Sequence, residues 1–314
     1  SHCSGLRSRG NTRRTEAAER FGCRTYADYE GLLGDRDVEL MVVALPTHLH
    51  AEASIQALQA GKAVVCEKPM AANLADADRM IAVAQETGRL LTVFQNRRYA
   101  PDFLKVREVI ESGVLGRIVL VHMTGSGFGR RWDWQTLKEY GGGTLNNNGV
   151  HTIDQAMQLF GEGRPQIFCH LERTLTLGDA EDHVKVILYG PGKPMIDIEL
   201  SAACAIPQEA WHIMGTLGGL AGSAHSLRWR TIDPSALPPR SVDRRPTPDR
   251  SYNSEAYEWR EGQWDISEYN GPGQTGFYLD LFATLRQGKP LAVTPESVRR
   301  VMWVLEECHR LSPV

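Results

Sequence analysis

Lys68 is the first residue whose setting suggests chemistry: it stands in Glu67-Lys68-Pro69, directly after the apolar run Ala63-Val64-Val65-Cys66. An amine at the carboxyl end of a parallel strand faces the crevice where open α/β sheets bind ligands, and the proline after it fixes the turn. From there it can face a bound cofactor or substrate. A lysine after a strand is otherwise a solvated loop residue, so the reading depends on the elements around it. Arg130-Arg131-Trp132-Asp133-Trp134 is a second concentration of binding groups. Arg130 and Trp132 could rim a pocket, with indole faces on sugar C–H surfaces and guanidinium forks on hydroxyl or carboxylate oxygens, or the aromatics could simply anchor a loop.

The elements that must position Lys68 follow a repeating grammar. Residues 38–45, Val-Glu-Leu-Met-Val-Val-Ala-Leu, are a nearly continuous apolar run of strand length, as for a strand covered on both faces, and Pro46 ends it. A helix is predicted over residues 50–60, with Ile55 and Leu58 three apart and Gly61 just past its end. Asn73 is the predicted N-cap of the next helix, whose stripe is Leu74, Ala77, Ile81 and Ala84, and Gly88 closes it before Leu90-Leu91-Thr92-Val93-Phe94. This βαβαβ order predicts a parallel, doubly wound sheet. Pro101 opens another amphipathic helix before Gly113.

Beyond Gly116 the pattern changes to strands at residues 118–123, 183–189, 195–200 and 211–214, with one helix near 151–160. Residues 233–257 read as a long loop, and two helices are predicted at 275–287 and 295–310. The fold class is therefore α/β: a Rossmann-like doubly wound parallel sheet plus an α+β domain with a large, mostly antiparallel open sheet. The expected domains are a partial dinucleotide-binding domain at 1–100, a substrate-binding and oligomerisation domain at 101–290, and a C-terminal helix at 291–314 packing back on the first. Residues 271–276 satisfy G-x-G-x-x-G, but no buried strand precedes them, and they read as a loop before a helix. The opening residues followed by a helix at 12–21 look like the end of a second strand and its helix. On that reading the first strand, Gly-rich turn and first helix, about 30 residues, lie upstream; without them the expected dinucleotide affinity is negligible.

A chain of 314 residues suits two cores, and its composition, 42% hydrophobic and 23% charged with a formal net charge of -3, gives neither a basic excess nor a long apolar segment. No nucleic-acid or membrane partner is expected. Six scattered cysteines form no C-x-x-C pair and read as reduced thiols in a cytoplasm. A metal site from His151 and Asp154 lacks a third ligand at recognisable spacing, so no metal is expected.

The motifs in order resemble those of the Gfo/Idh/MocA family of NAD(P)-dependent oxidoreductases, over nearly the whole chain. They are Leu45-Pro46-Thr47 with His50, then Glu67-Lys68-Pro69, Asn96-Arg97-Arg98-Tyr99, Gly141-Gly142-Gly143-Thr144-Leu145-Asn146-Asn147-Asn148-Gly149-Val150-His151-Thr152-Ile153-Asp154, and the closing Gly288-Lys289-Pro290 through Thr294-Pro295-Glu296. The resemblance implies hydride transfer between nicotinamide and a secondary alcohol of a sugar, cyclitol or related polyol. It places Lys68 between nicotinamide and the substrate hydroxyl, and His151 at the position of the catalytic histidine. It further implies cofactor contacts from Leu45, Pro46, Thr47, His50, Glu67, Lys68, Asn96 and Arg97. A homodimer or homotetramer packed through the open sheet is implied as well.

Hydride transfer needs a base for the hydroxyl proton, and His151, with an ordinary pKa of about 6.5, suits that role while Lys68 stabilises charge on the same oxygen. The family commonly carries Asp four residues before this histidine, where this chain has Asn147. An amide orients and hydrogen-bonds but cannot raise the basicity of His151 through charge. Arg130, Trp132, Asn147, His151 and Asp154 are the expected substrate contacts, although Asp154 could instead cap or solvate the first helical turn. Ser4 and Arg7 would suit a 2′-phosphate, which leans the cofactor from NAD toward NADP. Two other readings stand beside the dehydrogenase: a non-catalytic dinucleotide or sugar sensor, and a redox-assisted lyase or glycosidase of the same family.

Overall fold

In a computed structural model that describes residues 12–246 and 252–314, β1 (Leu40–Val43), β2 (Ala63–Cys66) and β3 (Leu91–Val93) form a parallel sheet in that order. The central strand has Val64, Val65 and Cys66 fully buried, as two covered faces require. β1 is shorter than its apolar run, and among the described residues it borders the sheet and leaves Val42 45% exposed. Ahead of this sheet lie α1 (Thr12–Phe21) and α2 (Tyr29–Gly34); α3 (His50–Gln59) and α4 (Leu74–Thr87) make the crossovers. Asn73 Oδ1 caps α4 by accepting from Asp76 N at 2.8 Å. Gly61 and Gly88 leave α3 and α4 with φ of +80° and +62°, a region that suits residues without a Cβ.

α5 (Pro101–Glu111) leads into β4 (Ile118–Thr124), and α6 (Val150–Phe160) precedes β5 (Gln166–Glu172), β6 (His183–Tyr189) and β7 (Met195–Ser201). β8 (Trp211–Gly215), β9 (Gly218–Gly222), β10 (Ser226–Thr231) and β11 (Arg260–Asp265) complete an eight-stranded sheet ordered β11-β10-β9-β8-β4-β7-β6-β5. β4 and β7 run parallel and the other neighbours antiparallel. Period-two alternation sorts its faces: Val184, Val186, Ile196 and Ile198 are buried, while Lys185 and Asp197 lie on the open face and meet at 2.7 Å. That open face carries a groove of about 930 Å³ between β8 and β11, bordered by Met214, Arg228, Arg230 and Trp259.

α7 (Gly276–Gln287) and α8 (Pro295–Leu311) follow. The 271–276 segment is indeed a turn leading into α7, and it follows the antiparallel β11 rather than a buried parallel strand. α8 lies between the two sheets, against α4 and β3 on one side and α6 and β5 on the other. Thr92 Oγ1 donates to Val293 O at 2.7 Å just before α8, and Arg299 pairs with Asp78 of α4.

Candidate active site

Lys68 stands just beyond the end of β2, and its bond to Pro69 is cis. The turn is held from beneath by His50 at the start of α3, whose Nδ1 lies 2.8 Å from Pro69 O and Nε2 2.7 Å from Leu45 O. His50 therefore ties the loop after β1 to the loop after β2. Burial pushes its imidazole pKa down, although both carbonyls would suit the protonated ring.

The opposing wall is the start of α6. Residues 141–143 approach so closely that a Cβ at Gly142 would collide with the Gln135 carbonyl, and one at Gly143, where φ is +107°, with the Glu181 carboxylate. Glu181 is buried, and it accepts from Leu145 N at 2.9 Å, serving an amide at the start of a single π-helical turn, Leu145–Gly149, that runs into α6. Burial pushes the Glu181 carboxyl pKa up, while that backbone bond opposes the shift. The π turn carries Asn147 and the first turn of α6 carries His151.

The two walls meet at one contact. Lys68 Nζ donates to Asn147 O at 3.0 Å and lies 3.4 Å from Asn147 Oδ1. The amide of Asn147 is turned by Gln135, whose Oε1 accepts from Asn147 Nδ2 at 3.4 Å and from Arg131 at 2.5 Å. Burial lowers the Lys68 pKa, with Arg97 adding to the effect and Glu67 opposing it. His151 is 5% exposed and its Nδ1 has no hydrogen-bond partner. Burial, then the Lys68 and Arg97 charges, push it down to about 3, so it is a neutral ring at pH 7.

Around this contact lie further polar atoms without partners. Gln95, directly after β3, is buried with neither amide atom bonded, and Asn96 Oδ1 is also unpaired, while Asn96 Nδ2 donates to Gln274 at 2.7 Å. One helical turn along α6 the arrangement reverses. Asp154 is 1% exposed and receives a bidentate Arg98 fork at 2.6 and 2.8 Å, and Arg98 also donates to Ser297 of α8 at 3.1 Å. Burial pushes the Asp154 carboxyl up, and Arg98 works against it. Gln155 Nε2 donates to Arg97 O at 2.9 Å, so α6 holds the turn after β3 at two points.

Lys68, Asn147 and His151 are thus brought together, with Arg97 acting on the last and on Lys68 through its charge. Thr47 is buried against Gly141, Leu45 contributes its carbonyl to His50, and Pro46 is exposed. Asp154 is engaged by Arg98. Arg130 is exposed with a bond to Leu175 O at 3.3 Å, and Trp132 is 76% exposed. Ser4 and Arg7 lie outside the described residues. Sequence reasoning did not single out Gln95, Gln135 or Glu181: Gln135 and Glu181 act across more than ten residues of chain, and Gln95 has no side-chain partner to mark it. Arg98 stood inside a recognised motif without an assigned role.

Two matches to known families cover this architecture. Residues 2–95 match the oxidoreductase family with an NAD-binding Rossmann fold, and residues 103–221 match the GFO/IDH/MocA C-terminal domain. The chain belongs to the Gfo/Idh/MocA oxidoreductase family. Among Gfo/Idh/MocA relatives, it is 38% identical over 173 residues to an uncharacterized oxidoreductase of Schizosaccharomyces pombe, covering 54% of this chain and 47% of that protein. It is 34% identical over 154 residues to a scyllo-inositol 2-dehydrogenase (NADP(+)) of Bacillus subtilis, covering 48% and 43%. The chain thus spans about half the length of these curated relatives. Among solved structures, an NAD-binding protein from Listeria innocua superimposes with a TM-score of 0.81 at 26% identity, covering 98% of this chain and 89% of that one.

Proposed function

We propose that this chain serves an NAD(P)-dependent dehydrogenase that oxidises a secondary alcohol of a sugar, cyclitol or related polyol. The observation that carries this reading is the Lys68–Asn147 contact, which joins the strand-end lysine of one sheet to the His151-bearing helix of the other layer. The unpartnered Gln95, Asn96 and His151 atoms fit a polar ligand such as the nicotinamide end of a dinucleotide, because buried polar groups without partners are costly unless a ligand or water satisfies them. Gln95, Asn96 and Lys68 would hold it, and when bound it supplies the hydride acceptor.

Lys68 Nζ donates to the substrate hydroxyl oxygen and stabilises the charge that grows there as the proton leaves. His151, neutral at pH 7 with Nδ1 unpartnered, is the acceptor for that proton, but burial and the Lys68 and Arg97 charges hold it well below the 6.5 expected from sequence, so it is a weak base until negative charge grows on the substrate oxygen beside it. Asn147 orients Lys68 through its carbonyl without adding a negative charge, so the lysine keeps the lowered pKa that burial gives it. The cofactor is NAD or NADP, and the NADP-linked name of the Bacillus relative adds to the reading of Ser4 and Arg7 as 2′-phosphate contacts. The open face of the eight-stranded sheet, with its groove beside Met214 and Arg230, supports packing against a second copy of the chain.

The test joins the chain to the residues that precede Ser1 in its gene and screens inositols, sugars and sugar acids with NAD⁺ and NADP⁺ by nicotinamide absorbance, with Lys68→Ala beside the parent. Turnover that collapses in the variant is expected. Tight dinucleotide binding with no turnover across the screen, unchanged in Lys68→Ala, would instead favour a sensor.

A further inference from the structure

β5 and α8 lie against each other, and one hydrogen bond fixes their register: Leu171 N donates to Ser312 Oγ at 2.8 Å. Two residues back along β5, Cys169 shares the inner face with Leu171. One turn back along α8, Cys308 lies on the same side as Ser312. The register sets the two cysteines opposite one another, and the Cys169 thiol is near enough to Cys308 to raise its pKa. Both are reduced. Cys23, Cys66 and Cys204, by contrast, each donate to a backbone carbonyl.

We propose that Cys169 and Cys308 are a peroxide-sensitive thiol pair that closes to a disulfide and staples α8 to the edge of the eight-stranded sheet. Access separates their roles. Cys169 is partly exposed and meets the hydroperoxide, whereas Cys308 is fully buried. Cys169 nearby and burial hold Cys308 in its thiol form at rest, which keeps it from reacting with the peroxide itself, and it gives up its proton only as it attacks the oxidised Cys169. The Cys169 sulfur attacks the peroxide, the O–O bond breaks, and a sulfenic acid and one water result. Cys308 Sγ then attacks Cys169 Sγ, the S–O bond breaks, and a second water leaves with the Cys308 proton. Two electrons pass from the thiols to the peroxide, and thiol reductants reverse the result. The staple lies next to His309, whose Nε2 meets Asn146 Oδ1 at 3.1 Å, so it tightens α8 beside the π turn that carries Asn147.

The test treats the reduced, folded chain with hydrogen peroxide and maps its peptides without reduction. The expected result is a Cys169–Cys308 linked peptide, an intact mass lower by about 2 Da for the two hydrogens lost, reversal by dithiothreitol, and a raised Tm. Cys169→Ser removes the link and Cys204→Ser leaves it in place. Oxidation of Cys169 to sulfinic or sulfonic acid without a link, or a link that forms only after unfolding in guanidinium, overturns the proposal.

Discussion

Two polar clusters sit one turn apart on α6 and are built on opposite terms. Around Asp154 every strong group is engaged: the carboxylate takes both arms of Arg98, and the guanidinium also reaches Ser297. Around His151 the ring Nδ1, both amide atoms of Gln95 and Asn96 Oδ1 are left without partners. Unsatisfied buried groups cost roughly 1–3 kcal/mol each, so a protein keeps them only where something else completes them. The contrast sets a satisfied clasp, in which Asp154 pairs with Arg98, beside the cluster proposed above to take a ligand.

The sharpest way to break that contrast is Asp154→Ala. It strands the Arg98 guanidinium in a buried site, and a loss of about 3–5 kcal/mol in unfolding free energy is expected by urea denaturation. A loss below 1 kcal/mol would mean the clasp is not what holds α6 to the turn after β3. Next comes Lys68→Ala, expected to lower turnover by about 10²–10³-fold while the denaturation midpoint moves little. A large stability loss with unchanged turnover would exchange the roles of the two clusters. Third is pH. The folded His151 pKa of about 3 lies below its ordinary value of 6.5, so the unfolded chain binds the proton first as pH falls. Stability is complete above pH 6.5 and is lost on the way down toward pH 3, by up to about 5 kcal/mol at about 1.36 kcal/mol per pKa unit. His151→Gln should flatten the Tm–pH curve over that window, and an unaltered curve counts against a buried neutral ring. The smallest effect is expected for Gln135→Ala, which frees the Asn147 amide and should change stability by no more than about 1 kcal/mol, with a modest rise in KM; a collapse of turnover would make Gln135 part of the chemistry.

How much of this was legible in sequence follows from where the signal lies. β2 and β3 read clearly because buried parallel strands are apolar throughout, and α4 because Asn73 and Gly88 bracket its stripe. β9 and β10 were not picked out individually: Gly218-Gly219-Leu220-Ala221-Gly222 and Ser226-Leu227-Arg228-Trp229-Arg230-Thr231 bury only alternate residues, and a Gly-rich strand lacks the usual β-branched signal. In the site, Lys68 and His151 stood out because local motifs carry them. Gln95 and Glu181 did not, because their meaning comes from contacts with distant chain: Glu181 matters through Leu145, and Gln95 through the groups it fails to meet. The pairing of Asp154 with Arg98 was hidden for the same reason, since Arg98 lies 56 residues away.

α8 has a consequence for how the molecule is made. It seals β3 and α4 on one side and β5 and α6 on the other, yet it leaves the ribosome after all of them. Neither layer can close its apolar surface until this helix is released, so folding waits for α8 instead of advancing layer by layer. Nascent chains stalled before Thr294 should accordingly be digested by low protease at both layers, whereas a resistant first layer would show that it folds without the helix.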